Sequence, residues 1–143
     1  RNISLTTDIV VGFPNETVED FEATHRLVEY CQYDSSYIFK YSIRTGTPSS
    51  NLLDNITPKE KTERFIMLEK TQKDITKNKL QSYLDKKVEV LAERSSSKNE
   101  NELTGHTTCQ KVVNFKGNSD LLGKVINVRI IESKNNSLYG VVV

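Results

Sequence analysis

The sequence lacks the features that mark secreted, disulfide-bonded or membrane-spanning chains. Its two cysteines, Cys31 and Cys109, lie far apart and form no C-x-x-C motif, so a disulfide framework or a cysteine metal site has little support. We expect two separate reduced thiols. No apolar run approaches the roughly 18 residues that span a bilayer, and residues 1–11 lack the apolar region and cleavage site of a signal peptide. These absences predict a cytoplasmic protein with no membrane partner.

Length and charge set only weak further limits. A chain of 143 residues suits one ordinary domain or two small ones. Its net charge is +1, but residues 86–143 hold nine Lys and Arg against six Asp and Glu, which hints at a polyanionic partner. A solvated surface with unequal charges is the commoner explanation of so small an excess. Because the chain opens on Arg1 and closes on three valines, we expect it to be part of a longer polypeptide.

The first part of the sequence is typical of a β-α-β unit. Residues 4–11 are rich in β-branched side chains and end at a Gly-Phe-Pro turn, which predicts a strand. Thr17 and Asp20 resemble a capping box before a helical repeat over residues 18–30, and residues 37–42 predict a second strand. Parallel strands place ligand sites beyond their carboxyl ends, so the loops GFPNE and RTGTP should lie side by side. Two strands make no stable parallel sheet, so we expect its other strands outside this chain.

A long helix and a small barrel should follow. Thr57 begins the helix-start signal TPKE, and nothing breaks the helix before about Leu80. We predict a structural brace, with nucleic-acid binding by its charged side as the alternative. Beyond Asp85 the pattern changes to alternation, and five short strands predict a closed or nearly closed barrel of a kind that commonly binds oligonucleotides. The expected fold class is therefore α/β plus all-β, with a boundary near residues 83–86.

Several stretches together resemble the methylthiotransferase branch of the radical S-adenosylmethionine enzymes. They are TTDIVVGFPNETVEDFEAT, YDSSYIFKYSIRTGTP, KTERFIMLEKTQ and VLAERSSSKNENELTGHT, followed by KVVNFKG and LYG. The resemblance covers essentially the whole chain, and the stretches keep the family's order. It implies that residues 1–85 are the C-terminal portion of a radical-SAM, partial TIM-type barrel. It also implies that residues 86–143 are a TRAM domain, a small five-stranded OB-like β-barrel that binds RNA.

The resemblance further implies an activity, cofactors and a partner for the full-length protein. VVNFKG and RSSSK are most similar to members that add a methylthio group to the dimethylallyl-adenosine beside the tRNA anticodon. Members acting on threonylcarbamoyl-adenosine or on a ribosomal protein are the nearest alternatives, and a non-catalytic RNA-binding module is another. Such enzymes use S-adenosylmethionine and two 4Fe–4S clusters, held by cysteines that include a C-x-x-x-C-x-x-C array, which this sequence lacks. We therefore expect the segment alone to be inactive, and assign it no metal ligands and no catalytic residue.

The resemblance suggests cofactor-binding residues in the first part of the chain. Gly12, Phe13 and Pro14 would form a backbone edge against the adenine and ribose of S-adenosylmethionine, with a simple packing turn as the alternative. Glu16 would accept hydrogen bonds from a ligand hydroxyl or only complement the start of the helix. Arg44 would bind the S-adenosylmethionine carboxylate or a tRNA phosphate through paired N–H groups, with a surface salt bridge as the alternative.

Basic and aromatic residues of the expected barrel are candidates for RNA binding. Six cations could contact phosphates: Arg94, Lys98, Lys111, Lys116, Lys124 and Arg129. His106 and Phe115 could stack on bases, although the alternation of VVNF favours a core position for Phe115.

The sequence departs from the family pattern at several of these positions. Asn15 replaces the usual glycine of the turn, and because Asn tolerates positive φ, we expect the turn to survive. Ile43 and Thr45 stand where proline often flanks the arginine, which implies a looser loop. His106 stands where arginine is usual, which predicts a weaker and more salt-tolerant contact with RNA.

Overall fold

The computed structural model describes residues 3–96 and 101–143. The chain divides into two compact units, of which the first is Leu5–Ile75 and the second contains Thr76–Val143. Each unit has its own hydrophobic core. Among the residues described, no helix is both long and apolar enough to cross a membrane.

Two parallel strands joined by a helix open the first unit. Strand β1 is Thr6–Val11, helix α1 is Val18–Cys31, and strand β2 is Ser35–Lys40. The strands pair in parallel along their whole length, which confirms the predicted β-α-β unit. Strand β2 ends at Lys40, before the predicted end at residue 42. The pairing with β1 stops there because Gly12 turns the chain away with a φ of +70°.

Helix α1 begins at the predicted capping box. The Asp20 N–H donates to the Thr17 hydroxyl at 3.1 Å, and the Thr17 N–H donates to the Asp20 carboxylate at 3.0 Å. The bonds from the Thr17 backbone and hydroxyl to this carboxylate lower the pKa of Asp20. At its other end the helix stops at Gln32, which has left-handed backbone angles.

Helix α2 is Pro58–Gln81 and packs one apolar side on the β-α-β unit. Leu68 and Ile75 are buried on this side and Phe65 is partly buried. The first core is completed by three further buried residues: Val11, Phe21 and Val28.

The sheet formed by β1 and β2 has two strands within the part of the chain that the structure describes, and one of its faces is uncovered. Ile9 and Ile38 pack toward the core on the covered face. On the other face, Val10 lies opposite Phe39, and they are 49% and 52% exposed. Tyr37 on the same face is 66% exposed. Apolar side chains of this size on a parallel sheet indicate a face that packs on further structure.

The second unit is the predicted barrel of five strands. The strands are β3 (Lys87–Ser95), β4 (Glu102–Thr107), β5 (Val112–Lys116), β6 (Val125–Ser133) and β7 (Leu138–Val142). They close in the order β3-β4-β5-β7-β6, with β5 and β7 parallel and the other pairs antiparallel. The barrel is filled by one continuous core of buried side chains: Leu80, Val90, Ala92, Leu103, Val113, Phe115, Val128, Ile130 and Leu138.

Two residues of this core bear on the sequence predictions. Phe115 is fully buried, so it is a core residue rather than a base-stacking one. Leu80 lies in helix α2 yet is buried in the barrel core, with Tyr83 packed against the same cluster. The residues that fill the barrel therefore begin before its first strand.

Candidate functional sites

The loops that follow β1 and β2 meet at Tyr41. The Tyr41 N–H donates to the carbonyl of Val11 at 2.9 Å, and its ring lies edge-on to Phe13 with 5.1 Å between centroids. The Tyr41 hydroxyl donates to the carbonyl of Ser49 at 3.1 Å. The carboxyl ends of the two strands thus lie at one edge, and their loops are side by side as predicted.

The turn after β1 is held tightly by backbone geometry. Gly12 is buried at a φ of +70°, and the Glu16 N–H closes the turn on the Phe13 carbonyl at 2.9 Å. Asn15 has a φ of +68°, and its N–H donates to the Asn55 side chain at 2.8 Å. The Asn at this position therefore adopts the left-handed conformation that a glycine would supply, and the turn survives.

The carboxylate of Glu16 is used by the protein itself. One oxygen accepts from the Gly12 N–H at 3.1 Å, and the other pairs with the guanidinium of Arg64 from helix α2. Arg64 also donates to the Glu16 carbonyl at 3.0 Å. Both side chains are nearly buried, at 12% and 10% exposed. Because both carboxylate oxygens have protein partners, the geometry favours a role in holding the turn over the ligand-binding role considered for Glu16.

A second buried cation from helix α2 reaches the loop after β2. The Lys61 ammonium lies 2.6 Å from an Asp54 carboxylate oxygen, 3.4 Å from the Tyr41 carbonyl and 5.1 Å from the centre of the Tyr41 ring. A Cβ atom at Gly12 would come within 2.4 Å of the Lys61 side chain, so only glycine fits beside this lysine. Helix α2 thus fixes the two loops with one cation each.

The sequence interpretation missed these two cations, although a signal was present. Lys61 and Arg64 precede Leu68 and Ile75 by helical spacing, so they continue the apolar stripe of helix α2. Charged residues in a helix are usually solvated, so neither was among the predicted site residues. A lysine and an arginine in the line of a buried stripe instead indicate buried pairs with acids elsewhere in the chain.

A cleft of about 310 Å³ opens beside the loop after β2 and contains Arg44. Its other lining residues are Val10, Phe39, Lys40, Tyr41, Ser42, Thr47 and Ser49. The Arg44 carbonyl accepts from the Thr47 N–H and hydroxyl, while its exposed guanidinium forms no ion pair with any residue that the structure describes. Of the predicted cofactor residues, Arg44 alone lines this cleft. Phe13 contacts the ring of Tyr41, which lines the cleft, and Pro14 is buried in the turn.

The predicted RNA-binding cations fall into separate parts of the barrel. Arg94, Lys116 and Lys124 are exposed and lie toward one end, where β3 and β5 finish and β6 begins. Arg129 is exposed on the wall formed by β3, β6 and β7. Lys98 lies outside the residues that the structure describes.

Two of the predicted RNA contacts are in unsuitable surroundings. Lys111 is only 8% exposed, and its ammonium lies 3.4 Å from the Ser4 hydroxyl, which disfavours an open phosphate contact there. The backbone N–H of Lys111 donates to the Thr107 hydroxyl at 3.0 Å, in the turn between β4 and β5. His106 pairs with Glu93 at 2.7 Å and borders a groove that Glu89 also lines. Carboxylates beside His106 oppose a phosphate, and base stacking by it stays a prediction.

The described residues contain no group of three or more His, Cys, Asp or Glu side chains that could hold a metal ion. Cys31 and Cys109 are both partly exposed and form no disulfide with each other.

Comparison with known proteins finds one family whose model matches the barrel. Residues 81–143 match the TRAM domain family. This match begins after Leu80 and includes all five barrel strands.

The chain as a whole is similar to longer proteins that share one name, tRNA-2-methylthio-N(6)-dimethylallyladenosine synthase. The protein of this name from Alkaliphilus oremlandii is 49% identical over 142 residues, which are 99% of this chain and 30% of the relative. Its counterpart in Bacillus velezensis is 46% identical over 140 residues, or 98% of this chain and 28% of the relative. The protein of this name from Bacillus subtilis is 45% identical over 139 residues, which are 97% of this chain and 27% of the relative. The chain thus spans less than a third of the length of these relatives.

Proposed function

Because residues 81–143 match the TRAM domain family and the chain is similar over nearly its whole length to tRNA-2-methylthio-N(6)-dimethylallyladenosine synthases, we propose that it is part of such an enzyme. The full-length protein would add a methylthio group to dimethylallyl-adenosine beside the tRNA anticodon by radical S-adenosylmethionine chemistry, in the cytoplasm. This chain would supply the tRNA-binding domain and one edge of the cofactor pocket. The observation that carries the proposal is the identity of nearly one half over 142 residues.

The cofactor edge is supported by the chemistry of the cleft beside β2. Its volume of about 310 Å³ lies at the lower end of the range for ligand pockets. Val10 and Phe39 give it an apolar wall, and Arg44 offers a guanidinium suited to the carboxylate of S-adenosylmethionine, with no ion pair to any residue of the described ranges. The cofactor supplies the reactive chemistry when it is bound. The residues of this chain would hold it, with Arg44 on the carboxylate and the rigid turn from Gly12 to Pro14 beside the adenosine.

The remainder of the enzyme would supply what this chain lacks. The uncovered face of β1 and β2, with Val10, Tyr37 and Phe39 exposed, has the composition expected of strands that line the inside of a larger barrel. We therefore infer that residues 1–85 complete a radical-SAM barrel whose other strands and cluster cysteines lie elsewhere in the enzyme. The segment alone would be inactive, because cofactor binding needs those strands and the cysteine ligands of both 4Fe–4S clusters.

A chimeric enzyme tests this function. The matching segment of the Bacillus subtilis relative is replaced by this chain, and methylthio-dimethylallyl-adenosine is measured in tRNA by mass spectrometry of nucleosides. We expect the chimera to form the modified nucleoside. Changing Arg44→Ala in the chimera should weaken S-adenosylmethionine binding by about 10- to 100-fold, because charged hydrogen bonds contribute about 1.5–3 kcal/mol. Arg26→Ala on helix α1 is the matched control, since Arg26 is exposed and, among the residues described, pairs only with Glu22.

The outcomes separate the parts of the proposal. A folded chimera with intact clusters that leaves the nucleoside unmodified would refute the assignment of this segment to that enzyme. Equal cofactor binding by the Arg44→Ala and Arg26→Ala chimeras would refute the role of Arg44 while leaving the enzyme class in place.

A further inference from the structure

Two cations face each other on the wall of the barrel. Lys87 on β3 is directly opposite Arg129 on β6, and both side chains are exposed. Residues opposite each other on antiparallel strands have Cβ atoms about 5 Å apart, and like charges in this position destabilise a sheet. The pair therefore contributes nothing favourable to folding.

The surroundings of the pair do not neutralise it. Neither Lys87 nor Arg129 forms an ion pair with any residue in the described part of the chain. On the far side of Arg129, strand β7 places Val141, which is apolar and 41% exposed. Lys86 adds a third charge next to Lys87, and its ammonium lies 5.9 Å from the centre of the Tyr83 ring. The wall thus carries concentrated positive charge beside an aromatic side chain.

A groove adjoins this pair on the side of β3. It has a volume of about 360 Å³ and is lined by Tyr83, Lys87, Val88, Glu89, Thr107, Thr108 and Cys109. The walls combine an aromatic ring with hydroxyl and carboxylate groups. Aromatic rings stack on nucleobases, and hydroxyl and carboxylate groups form hydrogen bonds with the edges of the bases. The groove and the cation pair share Lys87, so a base in the groove would bring its phosphate to the cations.

We propose that Lys87 and Arg129 bind one phosphate of RNA and that the adjoining groove holds a base of the same strand. This site is separate from the barrel end that carries Arg94, Lys116 and Lys124. It rests on the proposed function, in which the barrel binds tRNA, and it names the surface that does so. Glu89 lies two residues along β3 from Lys87. Because it carries a negative charge, it is unsuited to contact a phosphate. Its carboxylate instead suits an amino group or ribose hydroxyl of the bound nucleotide.

The test is the binding of unmodified tRNA to the 143-residue chain, measured by fluorescence anisotropy between about 50 and 200 mM salt. Lys87→Ala and Arg129→Ala should each reduce the slope of log K against log salt by about 1. If the plots of log K against log salt for a variant and for the unchanged chain meet at about 1 M salt, the variant binds tRNA about tenfold more weakly than the unchanged chain at about 0.1 M. Thr108→Tyr should weaken binding without changing the slope, because it fills the groove and leaves the charge unaltered. Glu89→Gln should reduce the slope by less than either cation variant does.

Controls separate this site from general charge and from misfolding. Lys59→Ala and Lys73→Ala remove the same charge from exposed lysines of helix α2 that pair with Glu63 and Glu69. We expect both to bind tRNA like the unchanged chain. Lys87→Ala and Arg129→Ala should melt no lower than the unchanged chain, since each relieves a repulsion.

Three results would overturn the inference or its premise. If the slope falls for a combined change of Arg94, Lys116 and Lys124 to Ala but not for Lys87→Ala or Arg129→Ala, the RNA site is at the barrel end and the inference is wrong. If Lys59→Ala lowers affinity as much as Lys87→Ala, only net charge matters and the inference is also wrong. If the unchanged chain shows no salt-dependent binding of tRNA, the RNA-binding part of the proposed function fails instead.

Discussion

The buried pair of Arg64 and Glu16 gives the sharpest prediction about what holds the candidate cofactor edge together. Arg64→Met removes the guanidinium and keeps much of the side-chain length. The Glu16 carboxylate, 12% exposed in the unchanged chain, then keeps the Gly12 N–H as its one partner among the residues described. Removing one member of a buried ion pair costs about 3–5 kcal/mol. Because Glu16 retains one hydrogen bond, we expect the lower value, about 3 kcal/mol.

Native-state hydrogen exchange measures this loss of stability at the turn that contains Gly12 and Glu16. A destabilisation of about 3 kcal/mol should accelerate exchange of the Gly12 and Glu16 amides by about 100-fold, if they exchange by opening of this unit. Amides of the barrel strands, such as Val90 and Val128, serve as an internal control because they belong to the other unit. Combining Arg64→Met with Glu16→Gln should cost less than the sum of the two single changes, since the charge left unpaired is then removed.

A matched surface pair distinguishes burial from charge. Arg26→Met breaks an ion pair with Glu22 whose side chains are 65% and 59% exposed, so it should cost less than about 1 kcal/mol. If Arg64→Met accelerates exchange near Gly12 no more than Arg26→Met does, the argument that burial makes the Arg64 pair important is refuted.

Three further predictions concern the fold. Gly105→Ala should abolish the cooperative thermal transition of the barrel, because the added Cβ would lie 2.0 Å from the Leu91 carbonyl oxygen; Gly46→Ala, with nothing within 4 Å, should only lower the melting temperature slightly. A fragment of residues 76–143 should be more stable to urea than one of residues 86–143 by about 2–3 kcal/mol, since only the longer one keeps the buried Leu80, and equal midpoints would contradict this. Hydrogen bonds from the Thr57 hydroxyl and N–H lower the pKa of Glu60 in the folded chain. The stability that these bonds add is therefore present above the unfolded pKa of Glu60 and is lost as pH falls through its folded pKa. Thr57→Ala should remove this pH dependence from a titration of helix content followed by circular dichroism.

Local features of the first unit could be predicted because their causes are close in sequence. Thr17 and Asp20 form the capping box that their spacing of three residues indicates. Asn15 takes the positive φ that the turn requires. The parallel pairing of β1 and β2 followed from the length of the connection between them. Each of these depends on backbone geometry within a few residues, or on how far a chain can reach.

Predictions for charged residues were less successful because charge alone does not fix exposure. Lys111 has the sequence surroundings of a surface lysine, yet its side chain is buried beside the turn after β4. Lys61 is buried because Asp54 and the Tyr41 carbonyl lie within reach, and neither contact could be inferred from local pattern. The cross-strand register that places Lys87 opposite Arg129 is likewise a property of the closed barrel.

By itself, the sequence determined the order and type of the elements, the caps of the helices, the alternation that buries Phe115, and the resemblance to TRAM domains and to methylthiotransferases. These depend on side-chain periodicity, which is written locally along the chain. Only the tertiary structure decided that helix α2 fixes two loops through Arg64 and Lys61, that Leu80 belongs to the barrel core, and which cations face solvent together. Burial and charge pairing arise between residues far apart in sequence, so folding had to bring them together before their roles became visible.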